Sequence, residues 1–200
     1  MHGKEAHKPS STGHVVTRCV AGARTHLYNG TETDDLSSLL RPGCQPLVLH
    51  PRGEPFAPAM LREKSQIILI DGTWKQSVGM LRAVESSALK ISLPMHGESR
   101  FWLRAQSETG HFSTMEALLF LIAQSGLERE HQVLTLQFEL HVYTGLLSRG
   151  RKDFADKFLE TSSVRMELLH SVRFLEGEHV PLPAHLSPMP GPSVVDTGLI

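Results

Sequence analysis

Short apolar runs alternate along this chain with longer segments in which apolar residues recur at helical spacing. Residues 47–50, 67–70 and 89–93 are such runs, rich in leucine and β-branched side chains, as in strands buried on both faces. Two further strands are predicted at residues 15–20 and 26–28. Because strands alternate with helical segments, the pattern predicts an α/β fold.

The helical segments carry recognisable start and stop signals. Residues 74–84 follow Thr73, a good N-cap residue, and carry apolar side chains at helical spacing. Ser113 and Glu116 form an S-x-x-E capping box before an apolar run that ends at Gly126. Further helices are predicted at residues 34–43, in a segment reaching residue 62, on either side of Gly150 and at residues 163–177.

Length and composition bound the organisation of the protein. Two hundred residues with 40% apolar content suffice for one domain with a sizeable core. We predict this domain at residues 1–180 and a flexible, proline-rich tail at residues 181–200. Two cysteines give no disulfide framework and favour a reducing compartment. No apolar run approaches the roughly 18 residues that cross a bilayer, so a cytoplasmic location and no membrane partner are predicted.

The charge balance and the missing motifs exclude several functions. With 20 basic and 21 acidic residues, no global field attracts nucleic acid; no DNA partner is predicted, and any RNA contact needs a local patch. The common dinucleotide, P-loop and serine-hydrolase motifs are absent. Two E-x-x-H pairs, Glu128/His131 and Glu167/His170, match di-iron ligand spacing, but without further carboxylate-bearing helices they are better interpreted as surface residues.

Two polar stretches are candidates for chemistry. Asp71-Gly72-Thr73-Trp74 stands where a strand passes into a helix, and ligands of parallel sheets gather at such strand ends. A buried capping acid beside a packed tryptophan is the alternative. Residues 93–117 are polar enough to bind an anion or a zwitterion at a helix N-terminus, or form a solvated loop with a capping box. Their polar groups are Ser99, Arg100, Arg104, Ser113, Thr114 and Glu116.

The order of these stretches resembles a known family. D-x-T-W stands at residues 71–74, S-R-x-x-L-R at 99–104 and S-T-x-E-A at 113–117. Residues 2–13 are similar to an H-x-x-E-x-x-K-x-x-N-T-G segment, with Ser11 in place of asparagine. Several motifs in one order are a specific signal. The chain resembles the DTW-domain family over about residues 2–150.

The resemblance implies a fold and an activity. Members are tRNA-uridine aminocarboxypropyltransferases that use S-adenosylmethionine and are related to the knotted SPOUT methyltransferases. The implied fold is α/β, with a mainly parallel sheet of about five or six strands, helices on both faces and a C-terminal knot. Many relatives carry a zinc-binding segment and a strand before the H-x-x-E stretch, on which this sequence almost begins. We therefore predict no metal site, and an edge or a partner to compensate for any missing strand.

The implied reaction joins N3 of a tRNA uridine to the γ-carbon of the methionyl chain, and methylthioadenosine leaves. Selection of this carbon over the methyl group is geometric, because reacting atoms need to lie in line at roughly 3–3.5 Å. By resemblance the catalytic residues are Asp71, Thr73 and Trp74. The implied cofactor-binding residues, which line the adenosine or hold the carboxylate, are Leu49, His50, Pro51, Gly53, Ile70, Leu93, Pro94, Met95, Ser99, Arg100, Leu103, Ser113, Thr114 and Glu116.

Several roles stay open at this point. Asp71 is either a base or an anchor for a positive group, and electrostatics favours the anchor, because a carboxylate beside a sulfonium stays ionised. Trp74 either stacks on the flipped uracil or belongs to the core. The alternative functions are a SPOUT-like RNA methyltransferase and a non-catalytic RNA-binding module. The sequence leaves the oligomeric state and the tRNA species open. Predicted RNA contacts are Arg104, Arg149, Arg151 and Lys152, with Arg18 and Arg24 as an alternative.

Overall fold

The computed structural model describes residues 1–30, 39–61, 64–85, 88–104 and 110–178. Within these ranges the chain forms a mixed α/β fold. The strands are β1 (Gln45–Pro55), β2 (Ser65–Ile68) and β3 (Leu89–Ser92), and a short 3-10 turn spans Pro58–Met60. The helices are α1 (Gly13–Cys19), α2 (Trp74–Glu85), α3 (Thr114–Gln124), α4 (Glu128–Leu147), α5 (Lys152–Glu160) and α6 (Arg165–Leu175).

The three strands form one parallel sheet in the order β2-β1-β3. Successive side chains of a strand point to opposite faces, and the central strand β1 shows the consequence. Leu47, which is fully buried, packs in one cluster with Leu121 of α3, whereas its neighbour Val48 packs with Val84 of α2 on the other face. Apolar side chains therefore project from both faces of β1, and each face packs against a helix. This explains why the apolar run at residues 47–50 is continuous.

Two predicted strands are wrong. Residues 15–20 belong mostly to helix α1, and in the segment 26–28 only Tyr28 forms an isolated bridge, with His2. Val15, Val16 and Cys19 recur at helical spacing and pack in the large helical core, so burial of one helix face outweighs the strand preference of a short β-branched run. The sheet of the described residues consequently has three strands instead of five or six.

Other boundaries moved by a few residues. Strand β2 covers Ser65–Ile68 rather than 67–70, and only the 3-10 turn replaces the helix predicted to reach residue 62. The first part of the predicted helix at 34–43 and the whole predicted tail at 181–200 lie outside the described residues. No helix within the described ranges is long and apolar enough to cross a membrane.

The C-terminal half is a helical layer whose boundaries the sequence predicted well. Ser113 and Glu116 form the capping box at the start of α3. Gly126 and Gly150 follow α3 and α4 with φ angles of 72° and 68°, a conformation that glycine adopts without the steric cost of a side chain. The large buried side chains of this layer come from α3, α4, α5 and α6; they include Met115, Phe138, Leu146, Phe158 and Leu168.

Phe158→Ala is expected to destabilise the protein by about 3–5 kcal/mol, because it removes a fully buried ring. Phe154→Ala, on the same helix but half exposed, is the matched control and is expected to cost less than about 1 kcal/mol. Urea denaturation followed by circular dichroism measures both. Equal destabilisation by the two substitutions would contradict the assigned faces of α5.

Candidate functional site

The carboxyl ends of the three parallel strands lie at one edge of the sheet. Asp71 follows β2 and residues 93–95 follow β3, as expected. The strand predicted at residues 47–50 is longer than expected, because β1 continues to Pro55 and includes residues 49–53. Their register against β3 breaks between Leu49 and Glu54, both of which pair with Ile91. Residues 50–53 are therefore an irregular stretch of the central strand rather than the loop that follows it.

Gly53 lies directly against the backbone of β3. A Cβ atom at this position would lie 2.5 Å from both the backbone N and C of Ile91, closer than van der Waals contact allows. Only glycine permits this approach. The packing of β1 against β3 explains why position 53 is a glycine. The predicted cofactor contact of Gly53 stays a prediction.

Asp71 is buried, with 8% of its surface exposed, and both carboxylate oxygens are held. Ser11 Oγ donates to Oδ2 at 2.7 Å, and Thr114 Oγ1 donates to Oδ1 at 2.7 Å. The backbone carbonyl of Asp71 accepts from the N–H of His2 at 2.8 Å. Buried carboxylates require such donors, since a desolvated charge without partners is strongly unfavourable. Asp71 thus joins β2 to the N-terminal segment and to α3.

Gly13 completes the surroundings of this carboxylate. A Cβ on Gly13 would lie 2.6 Å from Asp71 Oδ2. The helix α1 therefore begins in contact with the acid, and the absence of a side chain lets it approach. The T-G pair of the opening motif also reaches α3, because Thr12 Oγ1 accepts from the N–H of Met115 at 3.3 Å.

Glu116 is the second buried acid of the site, with 6% exposed. Its Oε2 accepts from Ser99 Oγ at 3.0 Å and from the N–H of Ser113 at 2.7 Å. Its Oε1 accepts from the N–H of Arg100 at 2.7 Å. The capping acid of α3 therefore also holds the S-R motif. Asp71 and Glu116 together connect all four motif segments of the sequence.

Arg100 points its guanidinium at helices α4 and α5. Nε donates to Glu139 Oε1 at 3.1 Å, Nη1 to Thr161 Oγ1 at 2.6 Å and Nη2 to the carbonyl of Phe158 at 3.0 Å. The same group lies over the Phe158 ring, 4.0 Å from its centroid. Because every guanidinium nitrogen already has an acceptor, the geometry gives no support to the predicted contact between Arg100 and the cofactor carboxylate.

Arg104 and Leu103 are likewise engaged within the protein. Arg104 Nη2 donates to Glu5 Oε2 at 2.8 Å, and its Nε donates to Ser10 Oγ at 3.3 Å. Leu103 is buried in the helical core and lies against Gly145 of α4. The predicted RNA contact of Arg104 and the predicted cofactor contact of Leu103 stay predictions. Within the protein, Arg104 forms an ion pair with Glu5 and Leu103 packs in the core.

Thr73 and Trp74 open helix α2. Thr73 N–H donates to Gln76 Oε1 at 2.8 Å, and Gln76 N–H donates to Thr73 Oγ1 at 3.4 Å, a reciprocal cap. Thr73 is exposed, so its hydroxyl caps the helix at the surface. Trp74 is the first residue of α2; its side chain lies outside what the structure describes, and the choice between uracil stacking and core packing is unchanged.

A cavity of 570 Å³ borders Asp71. Every residue from 65 to 71 lines it, which places the cavity along the outer edge of β2. Of the predicted site residues, Ile70, Asp71 and Thr114 line this cavity, and so does Arg24, one of the two alternative RNA contacts. The residues that follow β3 form a turn of their own, in which the N–H of Met95 donates to the carbonyl of Leu93 at 2.8 Å and Pro94 is exposed.

The predicted basic cluster lies where α4 gives way to α5. Arg149 and Lys152 are exposed, and Arg151 lies over the Phe154 ring, 4.0 Å from its centroid. Arg149 Nη1 also donates to the carbonyl of Leu103. The cluster is therefore anchored to the S-R motif segment by one of its members.

The surroundings of His141 place Arg18, a predicted alternative RNA contact, near Arg149 of the basic cluster. Burial lowers the pKa of His141, and the charges of Arg18, Arg149 and His14 lower it further. These charges act on one imidazole, so α1 and the end of α4 present their basic groups in the same neighbourhood. The structure therefore brings Arg18, one of the two alternative RNA contacts, to the vicinity of Arg149.

Sequence reasoning gave no role to two acids that the structure shows to be buried and paired. Glu5 is 1% exposed and pairs with Lys8 and Arg104, and Glu139 is 3% exposed and pairs with Arg100. Each had a signal, since Glu5 is the acid of the H-x-x-E stretch in the opening motif and Glu139 occupies an inward-facing position of α4 three residues after the buried Leu136. Within the described ranges no group of three or more His, Cys, Asp or Glu side chains is placed to hold a metal ion.

Fold and site define a class, a mixed α/β domain in which buried carboxylates at the edge of a parallel sheet join distant motifs. The family model of the DTW domain matches residues 1–145. The chain therefore belongs to the DTW-domain family, which is involved in tRNA modification. Comparison with curated proteins and with solved structures gives no match.

Glu5→Gln is expected to destabilise the protein at pH 7 by about 1–2 kcal/mol, because it removes two partly exposed ion pairs. Burial alone would raise the pKa of Glu5, but hydrogen bonds from Lys8 and Arg104 and their charges outweigh it, so the pKa lies below its ordinary value of 4.5. The stability that Glu5 contributes is thus complete above pH 4.5 and lost as pH falls through the lower, folded-state value.

Urea denaturation of wild type and Glu5→Gln between pH 7 and pH 3 measures this difference. Glu128→Gln, at an exposed carboxylate in the first turn of α4, serves as the control and should show little difference at any pH. A gap between Glu5→Gln and wild type that persists unchanged at pH 3 would contradict the ion-pair assignment.

Proposed function

We propose that the protein transfers the 3-amino-3-carboxypropyl group of S-adenosylmethionine to N3 of a uridine in tRNA. One observation carries the proposal: the four motif segments of the DTW family meet through Asp71 and Glu116 beside the carboxyl edge of the parallel sheet. In parallel sheets this edge is where ligands bind. The relation to the knotted SPOUT fold and a cytoplasmic location, where tRNA is available, belong to the same proposal.

The surroundings of Asp71 fit the charge of S-adenosylmethionine. Asp71 presents a buried carboxylate at the wall of a 570 Å³ cavity, which is within the usual range for ligand pockets. Two hydroxyl groups, those of Ser11 and Thr114, donate hydrogen bonds to its oxygens. An ionised carboxylate attracts the cofactor's positive sulfonium and is a poor base, so we assign Asp71 the role of electrostatic anchor.

The carboxylate of the cofactor needs donors other than Arg100. Ser113 Oγ accepts from the N–H of Glu116, which leaves its hydroxyl hydrogen to donate. It stands at the N-terminus of α3, where the helix dipole favours a negative group. We therefore place the carboxylate near Ser113 and Thr114, and give Arg100 and Glu116 the task of holding this N-terminus in position.

In the reaction, N3 of the uridine forms a bond to the γ-carbon as the carbon–sulfur bond breaks, and the electron pair leaves on the sulfur of methylthioadenosine. The N3 proton passes to solvent or to a base. The protein's contribution in this scheme is alignment and exclusion of water rather than proton transfer by Asp71. A rigid site suits this task, and the hydrogen bonds of Asp71 and Glu116 supply that rigidity.

The tRNA is proposed to lie across the basic groups at the end of α4 and on α1. Arg149, Arg151 and Lys152 stand at the α4–α5 junction, and Arg18 lies close enough to Arg149 for both charges to act on His141. Phosphate contacts of this kind position a substrate without reading its sequence. They would also give a nearly neutral protein a local surface for a polyanion.

Asp71→Asn is expected to reduce transfer by roughly 10²-fold or more, because it removes a preorganised charge. The purified variant is incubated with S-adenosylmethionine and tRNA, and methylthioadenosine and modified nucleosides are measured by mass spectrometry. Asp153→Asn, at an exposed residue of α5, is the control. Wild-type turnover by Asp71→Asn would overturn the site assignment, and S-adenosylhomocysteine as the product would indicate a methyltransferase instead.

Reversing the charges of Arg149, Arg151 and Lys152 together is expected to weaken tRNA binding and to flatten its dependence on salt, since fewer counterions are released. Affinity for S-adenosylmethionine should not change. Arg129→Glu is the control, because this exposed residue stands at the opposite end of α4, about 30 Å away at 1.5 Å per residue. An unaltered salt slope in the triple variant would place the tRNA on another surface.

A further inference from the structure

A second cavity, of 320 Å³, lies between helices α3 and α4. Both helices contribute side chains at one-turn spacing, so the cavity follows a groove between two packed helices. It is separate from the cavity beside Asp71, with which it shares no lining residue. The residues on which its chemistry depends are Arg100, Phe112, Glu116, Phe120, Thr135 and Glu139.

Two residues that line this cavity each carry a buried polar atom without a hydrogen-bond partner in the described structure. Glu139 is 3% exposed; its Oε1 accepts from Arg100, but its Oε2 has no hydrogen-bond partner within the described structure. Thr135, one turn earlier on α4, has an equally unpartnered buried hydroxyl. A buried polar atom left without a partner is unfavourable, and more so when it is charged. A group that brings N–H donors would supply partners for such oxygens.

The charge of the cavity selects a positive donor. Three carboxylates line it, those of Glu98, Glu116 and Glu139, against one guanidinium, that of Arg100. Arg100 already donates from each of its three nitrogens, and Glu116 already accepts on both oxygens. The carboxylates therefore outnumber the guanidinium, and the oxygen without a partner is Glu139 Oε2, since Oε1 pairs with Arg100. Charged donors form the stronger hydrogen bonds with such an oxygen.

The remaining walls are aromatic. Phe112 and Phe120 meet edge to face with ring centroids 5.3 Å apart, and Phe138 lines the cavity from α4. Aromatic faces attract cations and also accommodate alkyl chains. A volume of 320 Å³ is at the lower end of ligand pockets, which limits the occupant to a small group.

We propose that this cavity binds the primary ammonium group of a small organic ligand. The ammonium donates to Glu139 Oε2 and to Thr135 Oγ1, and the attached carbon chain packs against the phenylalanine rings. The inference stands on these residues alone and does not depend on the proposed reaction. The same chemistry is offered by a free aliphatic amine and by the α-amino group of S-adenosylmethionine.

The test is a titration of the ¹⁵N-labelled protein with n-butylammonium chloride, followed by amide chemical shifts. Saturable shifts are expected in α3 and α4 around residues 116–123 and 131–139. Uncharged 1-butanol is of similar size but brings no charged donor, so its affinity is expected to be lower by about tenfold or more. Absence of saturable shifts, or equal binding of 1-butanol, would overturn the proposal and leave the polar atoms to ordered water.

Substitutions identify the contacts. Thr135→Val keeps the shape of the side chain and removes its hydroxyl, and is expected to weaken n-butylammonium binding severalfold. Thr144→Val is the matched control on the same helix, because the Thr144 hydroxyl is exposed and donates to the carbonyl of Leu140; it should bind like wild type. Glu139→Gln, checked for folding by its amide spectrum, should also weaken binding. Identical affinities for Thr135→Val and Thr144→Val would overturn the assignment.

Competition separates the two sources of the ammonium. If S-adenosylmethionine shifts the same amides and displaces n-butylammonium, the cavity receives the amino group of the cofactor. If both bind at once, the cavity serves a free amine. Each result supports the ammonium site. Neither measurement uses the transfer reaction as its readout, so a failure to form methylthioadenosine would not contradict this site.

Discussion

The buried carboxylate of Asp71 is the constraint on which the arrangement of this protein depends. A charge with 8% of its surface exposed needs partners, and the chain supplies them from two distant places, Ser11 before α1 and Thr114 at the start of α3. Gly13 has to approach without a side chain for this contact to form. The order of the N-terminal segment, the end of β2 and the start of α3 therefore follows from satisfying one acid.

A second constraint extends this order into the helical layer. Glu116 caps α3 and accepts from the S-R segment, and Arg100 of that segment reaches Glu139 on α4 and the end of α5. The motif residues are thus largely engaged with each other. Such a network holds binding groups in fixed positions, which suits a reaction in which the choice of carbon atom is decided by alignment.

The capping box at Ser113 and Glu116 was readable because both partners lie within one helical turn. The segment 15–20 was mistaken for a strand, because a short apolar run fits a strand and a buried helix equally well. Only the packing partners decide between the two. The packing of Arg100 on Phe158 was also not readable, since its partners lie about 60 positions further along the chain.

Local chemistry and apolar periodicity in the sequence determined the mixed α/β class, the central strand, the helices α2 to α6 within a few residues, and the motifs that identify the DTW family. Only the tertiary structure decided which motif residues face each other. Hydrogen bonds such as those of Asp71, Glu5 and Glu139 join residues from different segments, and their partners depend on how the segments pack. Burial then decides which side chains hold the framework and which remain available to a ligand.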